Sequence, residues 1–86
     1  MKKGDIYYYA RIIPNAGIYD LLEVKIRSVY ETYFVGLEKF TKQAFLFNYS
    51  DIDKIIFHDR NKALKIVKEA EKNKDKIFTE IYYEDE

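Results

Sequence analysis

His58 and the carboxylates of Asp51, Asp53 and Asp59 fall within one nine-residue stretch, and they are the first groups in this chain to examine for chemistry. Imidazole and carboxylates together suit a divalent cation. Two of the carboxylates have a simpler task. Asp59 stands just before an amphipathic run and serves as its N-cap, accepting from exposed backbone N–H groups and opposing the positive helix end. Ser50-Asp51-Ile52-Asp53 has the form of a capping box, an oxygen acceptor followed three residues later by a carboxylate, and predicts one helical turn. No metal centre is therefore expected. Nucleophilic catalysis has little to draw on, with two Ser, three Thr, one His and no Cys; Ser28 falls in a strand, Ser50 at a cap, and Glu80 and Glu84 in an acidic tail. The reading is a non-catalytic protein without cofactor.

Binding chemistry is better supplied. Nine Tyr and six Phe crowd a chain of 86 residues, more rings than so thin a core is expected to hold. Tyr offers large contact area, few torsions and a polar tip. An outward face of Tyr7, Tyr9, Arg11, Tyr33 and Tyr49 is accordingly expected as protein-contacting area, with Tyr82, Tyr83 and the acidic end as a second surface. The alternative is that these rings stack bases while Arg27 and the helical Lys65, Lys68 and Lys72 hold phosphates.

The elements that must carry these residues follow from periodicity. Asp5 to Ile13 alternates, with Ile6, Tyr8, Ala10 and Ile12 on one face and Tyr7, Tyr9, Arg11 and Ile13 on the other. Pro14-Asn15-Ala16-Gly17 turns the chain. Tyr19 to Val29 is a second strand with Leu22, Val24 and Ile26 inward and Glu23, Lys25 and Arg27 toward solvent, and the broken parity at Val29 implies a bulge or a sharp bend. Thr32 to Leu37 is a third strand, Gly36 marking a close approach. In Lys42 to Tyr49, Phe45, Phe47 and Tyr49 share a face opposite Ala44 and Leu46. Ile55 to Phe57 is a last short strand. The helix from Arg60 to about Lys72 presents Ala63, Ile66, Val67 and Ala70 as one apolar stripe, widened by Leu64. Asn73-Lys74-Asp75 reads as a stop, after which Ile77 to Tyr83 alternates and suits an edge strand that also offers a route to a homodimer. The expected fold is a mainly β, SH3-like barrel of five short antiparallel strands closed by a C-terminal helix in residues 1–76, followed by a tail strand with an acidic end in 77–86.

Fifteen basic and fifteen acidic side chains cancel, which argues against a protein built to coat nucleic acid. The distribution is uneven: residues 60–76 carry seven basic against three acidic groups, and residues 77–86 four acidic and none basic. With no Cys there is neither disulfide nor thiolate site, and a cytoplasmic setting is the simpler expectation. Met1 to Ile6 lacks an apolar signal region, and no uncharged stretch exceeds eight residues, where a spanning helix needs about 20. No membrane role is expected.

Three short runs carry a resemblance: Lys3-Gly4-Asp5-Ile6-Tyr7-Tyr8, Asp51-Ile52-Asp53-Lys54-Ile55-Ile56-Phe57 and Asp59-Arg60-Asn61-Lys62-Ala63-Leu64. Through them residues 3–71 resemble small uncharacterised proteins encoded in phages and prophages of Gram-positive bacteria, a group that looks like an SH3-like barrel followed by a helix. Similar chains usually carry Thr at the cap and Glu in the first helical turn, where this one has Asp59 and Lys62; the tail from Ile77 falls outside the resemblance. What it implies is a bacterial host-cell setting and a host protein or immune effector as partner, with inhibition of antiviral defence in the manner of an anti-CRISPR. It carries over no active site.

Overall fold

A computed structural model describes the backbone of residues 1–84 and the side chains of residues 1–73. The strands are β1 Ile6–Ile13, β2 Ile18–Val29, β3 Tyr33–Glu38, β4 Ala44–Asn48 and β5 Ile56–Phe57, followed by the helix α1 Arg60–Glu84. The four strand pairings are antiparallel, in the order β4-β3-β2-β1-β5, and one isolated parallel bridge joins Ile52 to Ile56. Consecutive strands thus form a meander and only β5 returns to β1, which curls the sheet into a half-barrel with a C-terminal helix, the mainly β architecture of five antiparallel strands that was expected.

Local chemistry sets each corner. Between β1 and β2, Pro14–Ala16 makes a single 3₁₀ turn that ends at Gly17, whose φ of 66° suits a residue without Cβ. The register of β2 on β3 slips between Ile26 and Ser28, so Arg27 is an extra residue there. This bulge bends β2 and lets one strand serve both halves of the curled sheet. Between β4 and β5 the 3₁₀ turn is Tyr49–Asp51, and its capping pair is Asn48 and Asp51, two residues earlier than the expected Ser50 and Asp53. The Asn48 amide donates to the Asp51 carboxylate at 2.9 Å, whereas Asp53 adopts a left-handed φ of 67°.

Two apolar clusters sit on opposite faces of the sheet. Inside the curl, Tyr7, Val24, Ile26, Phe34, Phe47 and Ile56 are buried, with Tyr9, Phe45, Tyr49 and Ile52 packed against them. Outside, Ala10 and Phe57 meet Ala63 and Val67 of α1, flanked by Tyr8, Ile12, Tyr19, Leu21 and Ile66. β1 is therefore covered on both faces. The outward face expected for Tyr7 and Tyr9 is inverted: the register sets Tyr7 beside Val24 and Tyr9 beside Leu22, among the inward residues of β2. Alternation separates the two faces of a strand but does not say which is concave.

Gly36 closes the interior. A Cβ at this position would lie 3.2 Å from Val24 Cβ and 3.7 Å from the Phe47 ring, so the close approach is of a buried side chain across the sheet.

α1 begins as expected. The Asp59 carboxylate accepts from the Asn61 amide at 2.8 Å, and Ala63 and Val67 of the expected stripe are buried. Its end differs. The backbone stays helical to Glu84, so Ile77–Tyr83 is not the edge strand expected there, and the homodimer route through a C-terminal strand is lost with it. Asn73-Lys74-Asp75 contains neither Gly nor Pro, and weak helix formers alone cost only tenths of a kcal/mol per residue, about 0.7 at most. Ile77 and Ile81, two alternations apart and so on one face in the strand reading, are equally about one helical turn apart. Among the described residues no helix is long and apolar enough to cross a membrane.

Candidate binding site

The β3–β4 hairpin is held open by one carboxylate. Glu38, only 6% exposed, accepts from the amides of Phe40 and Thr41 and from the Thr41 hydroxyl. The donating Thr41 amide, with help from the Thr41 hydroxyl, the Phe40 amide and the Lys42 charge, holds its carboxyl below the ordinary glutamate value, against the opposing effect of burial. Lys42, at φ 63°, completes the turn. As a result Phe40 is presented at the tip with 81% of its surface exposed, and the Lys39 ammonium lies 5.4 Å from its ring centre.

Behind this tip the outer face of the sheet forms a groove. Cross-strand pairing sets Ile6 beside Lys25 and Lys25 beside Leu37, an apolar floor crossed by a lysine stem. At one end Lys3 is positioned by a turn in which Gly4 adopts φ 97°, the Lys2 amide donates to Asp5 at 3.0 Å, and the Gly4 amide bonds Ile26 of β2 at 2.8 Å. The groove has a volume of about 430 Å³, and its rim carries Lys3, Lys25, Arg27, Lys39 and Lys42 against one carboxylate, Glu23. Of these five cations, Lys39 alone has an ion pair among the described residues, with Glu23 at 3.8 Å. Past that pair the surface continues into a hollow bordered by Tyr8, Phe40 and Arg60. In a chain of zero formal charge, five cations around one concavity concentrate a positive potential that the totals hide.

The expected contact residues are scattered by the fold. Tyr7 is buried, its hydroxyl kept protonated to higher pH by burial first and then by Asp5 and Asp53; its ring meets His58 edge-on at 5.2 Å. Tyr9 packs on Phe45 and Phe47. Tyr49 lies against Phe34 at 5.3 Å, and its hydroxyl donates to the Tyr30 carbonyl. Arg11 is committed to its cross-strand neighbour Asp20 at 2.8 Å. Tyr33 is half-buried and stacks on exposed Tyr30, and the side chains of Tyr82 and Tyr83 lie outside the described residues. Of the cations, Arg27 lines the groove, whereas Lys65, Lys68 and Lys72 border a separate depression on the solvent face of α1.

Phe40, Tyr8, Lys25, Lys39 and Lys42 were not among the expected site residues. An aromatic set between charged residues in Glu38-Lys39-Phe40-Thr41 is a legible signal for an exposed ring; the grouping of the lysines depends on strand register. No group of three His, Asp or Glu able to hold a metal occurs among the described residues. No protein-family model matches the chain, and neither the curated proteins nor the solved structures contain a significant match.

Proposed function

We propose that this protein is a non-catalytic binding module that receives an acidic surface of a host protein in the outer groove. The supporting observation is the groove itself: five cations against one carboxylate around an apolar floor, with Phe40 standing free at the lip. An exposed ring on a hydrogen-bonded hairpin is already ordered, so little conformational entropy is lost when a partner covers it. The rim charges set orientation and association rate more than raw affinity. The resemblance of residues 3–71 to phage and prophage proteins supports a host target in a bacterial cell, and interference with antiviral defence is the role that follows. Affinity capture from a Gram-positive host lysate tests it: wild type should retain a stoichiometric protein that high salt and the Lys25→Glu, Phe40→Ala double variant both release. A partner held equally well by that variant sinks the groove reading.

The unpaired rim cations favour a second reading, a nucleotide or single-stranded nucleic acid lying over Ile6 and Leu37, with Tyr8 and Phe40 as stacking rings. Each stacked base would contribute about 1–3 kcal/mol. Fluorescence anisotropy with labelled oligonucleotides should then show affinity falling log-linearly with salt; no binding at low salt removes this reading.

A further inference from the structure

The half-barrel leaves β4 unpaired on one side, since the sheet ends there and α1 packs on β1, β2 and β5. The Glu38 amide bonds the Gln43 carbonyl at 2.9 Å, and antiparallel ladders alternate. Gln43, Phe45 and Phe47 therefore turn their backbone groups to β3, while Ala44, Leu46 and Asn48 turn theirs to the open side. Of these, the Asn48 amide is taken by Asp51; the N–H and C=O of Ala44 and Leu46 face outward. None of the usual guards against edge pairing is present, because Ala44-Phe45-Leu46-Phe47-Asn48 contains no charge and no proline and β4 has no bulge.

We propose that this edge pairs with the same edge of a second copy, antiparallel about a twofold axis through Leu46. The register is self-complementary. Leu46 meets Leu46 as a hydrogen-bonded pair that exchanges both N–H···O=C bonds, and each Ala44 N–H faces the Asn48 carbonyl of the other copy, while the Asn48 amides stay with Asp51. On the outer face two Leu46 side chains, each 62% exposed alone, cover one another. On the inner face Phe45 of one copy lies beside Phe47 of the other and extends the ring cluster of Tyr9, Phe45 and Phe47. Charge agrees with this direction: Lys42 precedes β4 and Asp51 follows it, so antiparallel pairing sets each lysine at the acidic end of its partner. The two basic grooves remain open.

Sedimentation equilibrium over a concentration series tests the pairing. Wild type should move from 10.4 kDa to twice that mass as concentration rises. Leu46→Lys and Leu46→Glu each set like charges face to face on the axis and should weaken dimerisation by about tenfold or more, with circular dichroism unchanged because the side chain is exposed. An equimolar mixture of the two variants should restore the dimer through opposite charges. Wild type that stays at monomer mass up to about 1 mM, or a dimer that both variants leave intact, overturns the proposal.

Discussion

Gly36→Ala is the most exacting check on the closed interior. The added Cβ would sit 3.2 Å from Val24 Cβ, 3.3 Å from Val24 Cγ2 and 3.7 Å from Phe47 Cε2, whereas carbon atoms rest at about 3.5–4.0 Å. A valine rotation could move Cγ2, but Val24 Cβ is fixed to the backbone of β2, which is paired on both sides. Val24 and Phe47 are 0% and 2% exposed, so neither can swing into solvent. Overpacking of this kind costs about 1–3 kcal/mol, and replacing glycine returns about 0.4–1 kcal/mol by stiffening the unfolded chain. The expected net loss is about 1–2 kcal/mol, which in a domain of this size lowers Tm by about 5–15 °C. Urea titration and calorimetry would measure both quantities. Val24→Ala removes Cγ2 and leaves the fixed Cβ in place, so in the double variant the two losses should fall short of additivity only in part, by about 0.5 kcal/mol. Gly36→Ala at or above wild-type stability would refute the packing argument.

Three further outcomes follow from the same geometry. Phe34→Ala empties the centre of the inner cluster and should cost about 3–5 kcal/mol, a large share of the roughly 4–13 kcal/mol expected for a domain of this length, read from the urea midpoint. Phe40→Ala should leave stability within about 0.5 kcal/mol while weakening partner capture; a large stability loss would show the ring to be structural. The folded Glu38 carboxyl titrates below its ordinary value of 4.5, so its contribution to stability is full above that value and is lost as pH falls through the lower, folded one. Urea midpoints measured from about pH 6 to pH 3 should show this loss, and Glu38→Gln should flatten that part of the curve.

Much of the fold was legible in the residues. The alternation of Leu22, Val24 and Ile26 against Glu23, Lys25 and Arg27, the turn at Pro14–Gly17, the break in β2, the Phe45 and Phe47 face, the Asp59 cap and the Ala63–Val67 stripe all appear where their local chemistry places them, because each depends on neighbours a few positions away. The end of α1 was misread for a related reason: Ile77 and Ile81 satisfy both periods, and Asn73-Lys74-Asp75 is too weak a stop to separate them.

What the chain by itself determined is which residues share a face; which face became the inside was decided only by the closed sheet. Tyr7 and Tyr9 looked outward because Ile6, Tyr8, Ala10 and Ile12 already formed a credible core, and that set is indeed partly covered, by α1. The inner side was claimed instead by the register of β1 on β2 and the bend at Arg27. The groove has the same origin, for Lys3, Lys25 and the Lys39–Lys42 turn are remote from one another along the chain and cluster only when three strands align. Like charges gathered around one concavity arise from long-range pairing, and no local pattern encodes them.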